Sequence, residues 1–358
     1  MKFKELNKIP VRTGNKQGVN EISLDIEKLT IDRFTNVNIN LNGVTGAAVS
    51  DLVGNEDFNE LKYGVSDRLL DEATREFTNG LMIKIDDNAI ISENIVIDFK
   101  FDESNSTLID NIVIFAGENS KANIIIKYSS DESLVGYHNG VCRIFASKNS
   151  EVKVSKVNIL GSKVNNFDSN ISEVLDNAKV DFIAIDLGGE NTVSSYEAIL
   201  LGNGSKGDLS SVYIGTDSEK IDLNYVMTIK GQKSVANMDV KGALRDKAVK
   251  NFKGTLDFKM GAKKSKGVEE EFCMLLSDKA RSRSVPLLLC EEDDVSGEHA
   301  ASSGSIDENK LFYLMTRGIS YDEARFLIIN AAFNPIVDKI SHEDIQSEIL
   351  AYIKNRLA

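Results

Sequence analysis

The chain is poor in the residues that tie a fold together covalently or through metal. Its three cysteines, Cys142, Cys273 and Cys290, are odd in number and widely spaced in 358 residues. That excludes a disulfide framework and a CxxC metal knuckle. There is no GxxxxGK[ST] loop, so the chain carries no nucleotide engine of that type. No run approaches the roughly 18 to 20 apolar residues needed to span a bilayer, and the opening MKFKELNKIPVRTGN has no apolar h-region. The expectation is a cytoplasmic protein. Positive charge is also in deficit: 42 Lys and Arg against 55 Asp and Glu leave a formal charge of −13. This argues against nonspecific binding to nucleic acid or to acidic membranes, both of which need clustered cations.

What is present is length and repetition. A chain of this size buries a large core, as two or three units or one elongated one. Residues 1–82 read as an N-terminal cap-like region; within it Leu69, Leu70, Ala73 and Phe77 fall at helical spacing across Ser66–Leu81, with Gly80 as a stop signal. From 83 to 305 the pattern becomes short β-rich runs. NSKANIIIKY from Asn119, NSEVKVSKVNIL from Asn149, NAKVDFIAIDL from Asn177, GSKGDLSSVYIG from Gly204 and KSVANMDVKGAL from Lys233 start 30, 28, 27 and 29 residues apart. No helix-length segment separates them, which excludes βαβ units. A propeller blade needs about 40 to 50 residues, and a sandwich has less reason to hold a period. One coil of a parallel β-helix uses a similar length and stacks each strand on its predecessor. The predicted inward ladders are Ile124 and Ile126, Val152 and Val154, Val180 and Phe182, and Val212 and Ile214, and both open ends of the solenoid require covering.

Residues 306–358 read as a C-terminal helical domain. Ser320 caps a helix with Asp322 and Glu323 in its first turn, the favoured side of the helix dipole. Asn334-Pro335 is expected to break or bend it, and a last helix runs from Ser341 to about Leu357 with Ile345, Ile349, Tyr352 and Ile353 on one face. The apolar faces imply that this unit packs on the solenoid or binds a partner.

Few residues suggest chemistry. Gly202 to Gly207 matches GxGxxG but leads into a strand, so it reads as a turn between coils. The acids Glu291 to Asp294 alternate faces and read as a solvated turn. The three cysteines sit in apolar runs and read as core, with acids beside Cys290 disfavouring a thiolate. His138 reads as part of a Gly-Tyr-His-Asn-Gly turn and His342 as the first turn of a helix. His299, in a Gly/Ser-rich segment, is the most interesting single residue, since imidazole ligates iron or zinc, although one histidine is not a metal site. The residues alone favour a scaffold or interaction protein over a hydrolase.

The ordered set Gly242-Ala-Leu-Arg-Asp-Lys-Ala248, Asn251-Phe-Lys-Gly254, Leu275-Leu-Ser-Asp278, Pro286, Glu292-Asp-Asp-Val295, His299-Ala-Ala301, Leu311-Phe-Tyr-Leu314 and Arg317-Gly-Ile319 resembles the SufB/SufD family of iron-sulfur cluster assembly proteins. The resemblance implies a mainly β protein: a right-handed parallel β-helix between a small N-terminal α/β region and a C-terminal helical domain. SufB carries a thiol several residues before the matched Asp278 and often one after it; here Glu271 and Ala280 stand at those positions, so the chain looks most like SufD. By the same resemblance the chain would be a non-enzymatic subunit that pairs with a SufB-like subunit, or with itself when isolated. A SufC-like ABC ATPase would dock through Leu311, Phe312, Tyr313, Arg317 and Gly318. His299, with Glu298 beside it, would lie at the interface as a candidate metal ligand. No tightly bound cofactor is implied, only a transient iron-sulfur cluster at the partner interface. Two alternatives stay open: a SufB-like, homodimeric scaffold using Cys273 or Cys290, and a carbohydrate-active β-helix enzyme, for which paired carboxylates in a groove are needed but not evident.

Overall fold

The 27 to 30 residue period originates in a left-handed turn. Asn119, Asn149 and Asn177 hold φ of 55°, 60° and 53°, and the equivalent residues of the next two repeats, Gly204 and Lys233, hold 68° and 57°. Asn and Gly are the residues that visit this region most readily. The Asn side chains also stack into a ladder: Asn119 Nδ2 donates to Asn88 Oδ1 at 3.1 Å and Asn149 Nδ2 to Asn119 Oδ1 at 2.9 Å. Each turn throws the chain from one sheet to the other.

The structure is a computed structural model that describes residues 2–3, 6–9, 24–26, 32–52 and 63–357. Two nine-stranded sheets face one another across a narrow lumen and wind through about eight turns. The first sheet runs from Ile90–Lys100 through Glu151–Leu160 and Lys206–Gly215 to Ser296–Ser305; the second runs from Asn79–Ile85 through Val164–Val174 and Val249–Phe258 to Arg281–Cys290. All these strands pair in parallel. Among the described strands of these two sheets, only the short Val37–Asn40 and Ala47–Asp51, one on each sheet, are antiparallel to their neighbours; Lys2–Phe3 and Leu24–Asp25 pair separately as a two-stranded antiparallel sheet. They close the N-terminal end, where Phe34 packs edge-on against Phe99 and Phe101 at centroid distances of 6.0 and 5.2 Å.

Helix α1 (Asp67–Arg75) is capped by Ser66, whose Oγ accepts from the Leu69 amide. It stops five residues before Gly80, which instead lies in strand Asn79–Ile85, so Gly80 is not its stop signal. Helices α2 (Glu308–Thr316), α3 (Tyr321–Val337) and α4 (Glu343–Leu357) follow the last strand. Ser320 caps α3, and α3 continues through Pro335. Helices α3 and α4 lie on the outer face of the first sheet, with Ile329, Phe333, Ile349 and Ile353 buried against Ile185 and Val212. This corrects one predicted ladder. Val212 and Ile214 point out toward the helices, and the lumen positions of that strand belong to Leu209 and Tyr213. Covered on both faces, the strand is apolar on both, and alternation could not orient it. His138 is likewise not in a turn but in strand Gly136–Ala146, fully buried, with Nε2 2.7 Å from Asp110 Oδ1. Among the described residues, no helix is long and apolar enough to cross a membrane.

Candidate functional site at the open end of the solenoid

The last coil consists of strands Arg281–Cys290 and Ser296–Ser305, and among the described residues each has a hydrogen-bonded neighbour strand on one side only. Parallel register continues the alternation of the coil beneath. Glu269 pairs with His299, Glu271 with Ala301 and Cys273 with Ser303, and on the other sheet Gly254 pairs with Pro286 and Phe258 with Cys290. These positions face the lumen. Glu298 pairs with Val268 and so stands on the opposite side of the strand from His299. Both residues are exposed.

Directly beneath the open end the lumen is charged. Lys250 on one sheet and Glu271 on the other form an ion pair, both side chains fully buried. Glu271 Oε1 also accepts from the Tyr213 hydroxyl at 2.8 Å, and Oε2 from Ser284 Oγ at 2.6 Å. The Lys250 ammonium lies 5.6 Å from the centroids of the Tyr213 and Phe252 rings. Paired and hydrogen-bonded in this way, the two charges are compatible with burial. Glu269 is different. It is fully buried, and among the described residues neither carboxylate oxygen has a hydrogen-bond partner. It lies against Gly254, where a Cβ would overlap the carboxylate. Burial, reinforced by the negative charge of Glu271, pushes its pKa up to about 8.

Cys273 is buried, and burial raises its pKa despite the nearby Lys250 ammonium; Cys142, also buried, is pushed up to about 12 for the same reason. Both behave as small hydrophobes, as expected. Cys290 does not: it is exposed, because its lumen-facing position belongs to the last coil and no described residue packs above it. The acidic turn is a solvated one, with Glu291 paired to Lys259 at 2.9 Å and Glu292 accepting from the Gly261 amide.

The residues matched to ATPase docking lie elsewhere. Helix α2 has no buried residue, and Phe312 and Tyr313 are 68% and 56% exposed. Leu311 is half-buried, Arg317 stacks over the Tyr313 ring at 5.2 Å, and Gly318 turns the chain into α3 with φ 86°. Between α2 and α3 lies a cavity of about 520 Å³, lined by Asn309, Lys310, Tyr313, Leu314, Leu327, Ile328 and Ala331. Sequence reasoning missed Lys250, Glu269 and Tyr213 at the open end. The available signal was Val268-Glu-Glu-Glu-Phe-Cys273, in which period two puts Glu269 and Glu271 on the face of Cys273. Among the described residues, no three His, Cys, Asp or Glu side chains come together to hold a metal ion.

The family model described as SUF system FeS cluster assembly, SufBD core domain, matches residues 99–332. The chain belongs to this family. It is similar to the iron-sulfur cluster assembly protein SufD of Bacillus subtilis, with 28% identity over 258 residues, covering 71% of this chain and 59% of the relative. It is also similar to SufBD family proteins of Staphylococcus saprophyticus and Staphylococcus epidermidis, each 23% identical over 268 residues, covering 75% of this chain and 58% of the relative. The chain thus spans 58 to 59% of the length of these curated relatives. The similarity to SufD agrees with Glu271 and Ala280 standing where SufB thiols are expected, and family membership replaces the carbohydrate-active alternative.

Proposed function

We propose that the chain is a SufD-like scaffold subunit of an iron-sulfur cluster assembly complex, pairing through its open coil with a SufB-like subunit. The observation that carries this reading is the uncapped pair of ten-residue strands. Long strand edges template pairing with another chain, and this pair brings His299 to the lumen side of the contact. The cluster under assembly is cargo. His299 supplies an imidazole ligand, or shapes the place where ligands from the partner hold iron. The buried Cys273 thiol, disfavoured as a thiolate, leaves sulfur chemistry to the partner. The exposed apolar face of α2 and its cavity beside α3 would take a SufC-like ATPase.

The test is anaerobic mixing with SufB-like and SufC-like subunits, followed by sizing and by cluster assembly. A three-component complex is expected, with His299→Ala leaving its size unchanged and lowering cluster yield at least tenfold. Full yield in H299A removes His299 from the mechanism, and failure to form the complex removes the pairing. A second reading, a SufB-like homodimer with its own thiol, is favoured by one observation: Cys290 is exposed on the end itself. Transfer of the outer sulfur of a small-molecule persulfide to the isolated chain, with release of the donor as its thiol, that disappears in Cys290→Ser would establish it.

A further inference from the structure

Glu269 has no role in the function proposed above. Its carboxyl is fully buried, and both oxygens lack a hydrogen-bond partner among the described residues. A buried polar group left unpaired destabilises a fold. The nearest lumen cation is committed elsewhere, since Lys250 Nζ donates to Glu271 and to Ser284. Across the lumen the carboxyl meets Gly254 and, behind it, the Phe252 ring, neither of which offers a side-chain donor. A departure from polar satisfaction in an otherwise well-paired lumen is the kind expected where a site is being prepared.

One strand further toward the open end is His299, in Cα register with Glu269 and on the same lumen-facing side. Neighbouring parallel strands lie about 4.8 Å apart, so a glutamate carboxyl and an imidazole stacked in this way are within reach of one another. A histidine that holds a metal on one ring nitrogen commonly donates its other N–H to a carboxylate, which fixes its tautomer and ring orientation. We propose that Glu269 is the positioning residue for His299, accepting the ring N–H opposite the metal-bearing nitrogen. Gly254 is part of the device, because any side chain there would displace the carboxyl. The inference rests on the reading of His299 given above.

The experiment uses the complex of this chain with its SufB-like partner, titrated anaerobically with Co²⁺ and read by its ligand-field absorption. Wild type is expected to develop the cobalt band and His299→Ala to lose it. Glu269→Met, which fills the space without an acceptor, should weaken Co²⁺ binding about 10 to 100-fold. Glu269→Gln, which keeps an acceptor oxygen, should recover most of that affinity. Sizing should be unchanged, and the urea midpoint of E269M at least that of wild type, because an unpartnered carboxyl is gone. Wild-type Co²⁺ affinity in E269M, with the band lost in H299A, overturns this inference alone. Weakening that comes with a lower urea midpoint overturns it too, since it marks a structural role. A band that persists in H299A overturns the reading of His299 and this inference with it.

Discussion

The two ends of the solenoid are finished differently. At the N-terminal end the strands Val37–Asn40 and Ala47–Asp51 run antiparallel to the first coil, and Phe34 plugs the lumen against Phe99 and Phe101. Those end strands are four and five residues long, and short edges are poor templates for pairing. At the other end both strands are ten residues long, parallel to the coil beneath, and their lumen positions include Gly297, His299, Ala301 and Ser303. Behind the first end the lumen holds Ile97, Phe99 and Ile112 with the buried Asp110–His138 pair, its polar atoms hydrogen-bonded; behind the second it holds the Lys250–Glu271 pair and Glu269, for which no hydrogen-bond partner is found among the described residues. A solenoid end demands a cover. One cover is built into the chain, and the other end carries charge and an imidazole in place of a plug.

The sharpest way to break this contrast is to damage each end in turn. Phe34→Ala removes an apolar plug and should cost about 3 to 5 kcal/mol. Lys250→Met should cost a similar ~3 to 5 kcal/mol, but for a different reason, because it strands the buried Glu271 carboxylate without its cation. The two losses are separable by rescue. Adding Glu271→Leu to K250M should restore most of the stability, since two apolar residues replace a buried pair at little net cost, whereas nothing at the first end offers a partner to delete. Urea unfolding of the four proteins decides it. A K250M loss that E271L deepens would mean that packing, not charge, holds the open end.

Between the ends the lumen carries a titratable group whose sign can be read. Asp186 is buried beneath the first sheet, accepting from Asn158 Nδ2 at 2.7 Å on Oδ1 while Oδ2 has no partner among the described residues. Burial pushes its pKa up to about 6; the Asn158 hydrogen bond, Lys156 and His138 pull it down and Asp168 pushes it up. The folded value lies above the ordinary value near ~4, so the fold binds a proton that the unfolded chain has released. This contribution is fully present below about pH 4 and is lost as pH rises through 6. The variant Asp186→Asn should therefore gain on wild type by up to roughly 3 kcal/mol between pH 4 and 6.5, and hold that gain above. A difference in stability that stays flat over this range would put the proton elsewhere in the lumen.

How much of this is legible in the sequence depends on which face a residue is assumed to occupy. The repeat is legible, because a left-handed turn demands Asn or Gly and marks each coil at Asn119, Asn149, Asn177 and Gly204. The helices are legible from Ser320 and from their apolar faces, while the Ser66 cap is seen only in the structure. Orientation fails at Val212 and Ile214, since α3 and α4 make the outer face as apolar as the lumen. His138 is hidden because Gly136, Asn139 and Gly140 imitate a turn; Gly140 is small because Asp110, His138 and Asp168 crowd the space its side chain would fill. The open end is the least legible region. A charge in a strand is ordinarily assigned to solvent, which conceals Lys250, Glu269 and Glu271, and the core that Cys290 is expected to join ends one coil below it. Resemblance singles out His299, but not the carboxyl that the register sets beneath it.

The smallest expected effect belongs to the turns, which also differ between the two halves. Toward the N-terminal end the left-handed positions are Asn88, Asn119, Asn149 and Asn177; toward the open end they include Lys233 and Lys264, at φ 57° and 60°. A lysine has a Cβ that clashes in this conformation and, unlike asparagine, no short polar side chain to bond locally. Its backbone amide nevertheless holds the turn, with Lys233 N donating to Lys263 O at 2.9 Å. Lys233→Gly keeps that hydrogen bond and removes the Cβ, though the unfolded chain gains freedom in return. The balance should favour the variant by about 0.5 to 1 kcal/mol, a rise of about one to two degrees in Tm. The same change at Asn149 should lower stability instead, because it deletes the side chain that donates to Asn119. Thermal unfolding of the pair gives opposite signs if the turns of the two halves are held by different means, and equal signs if backbone strain alone decides.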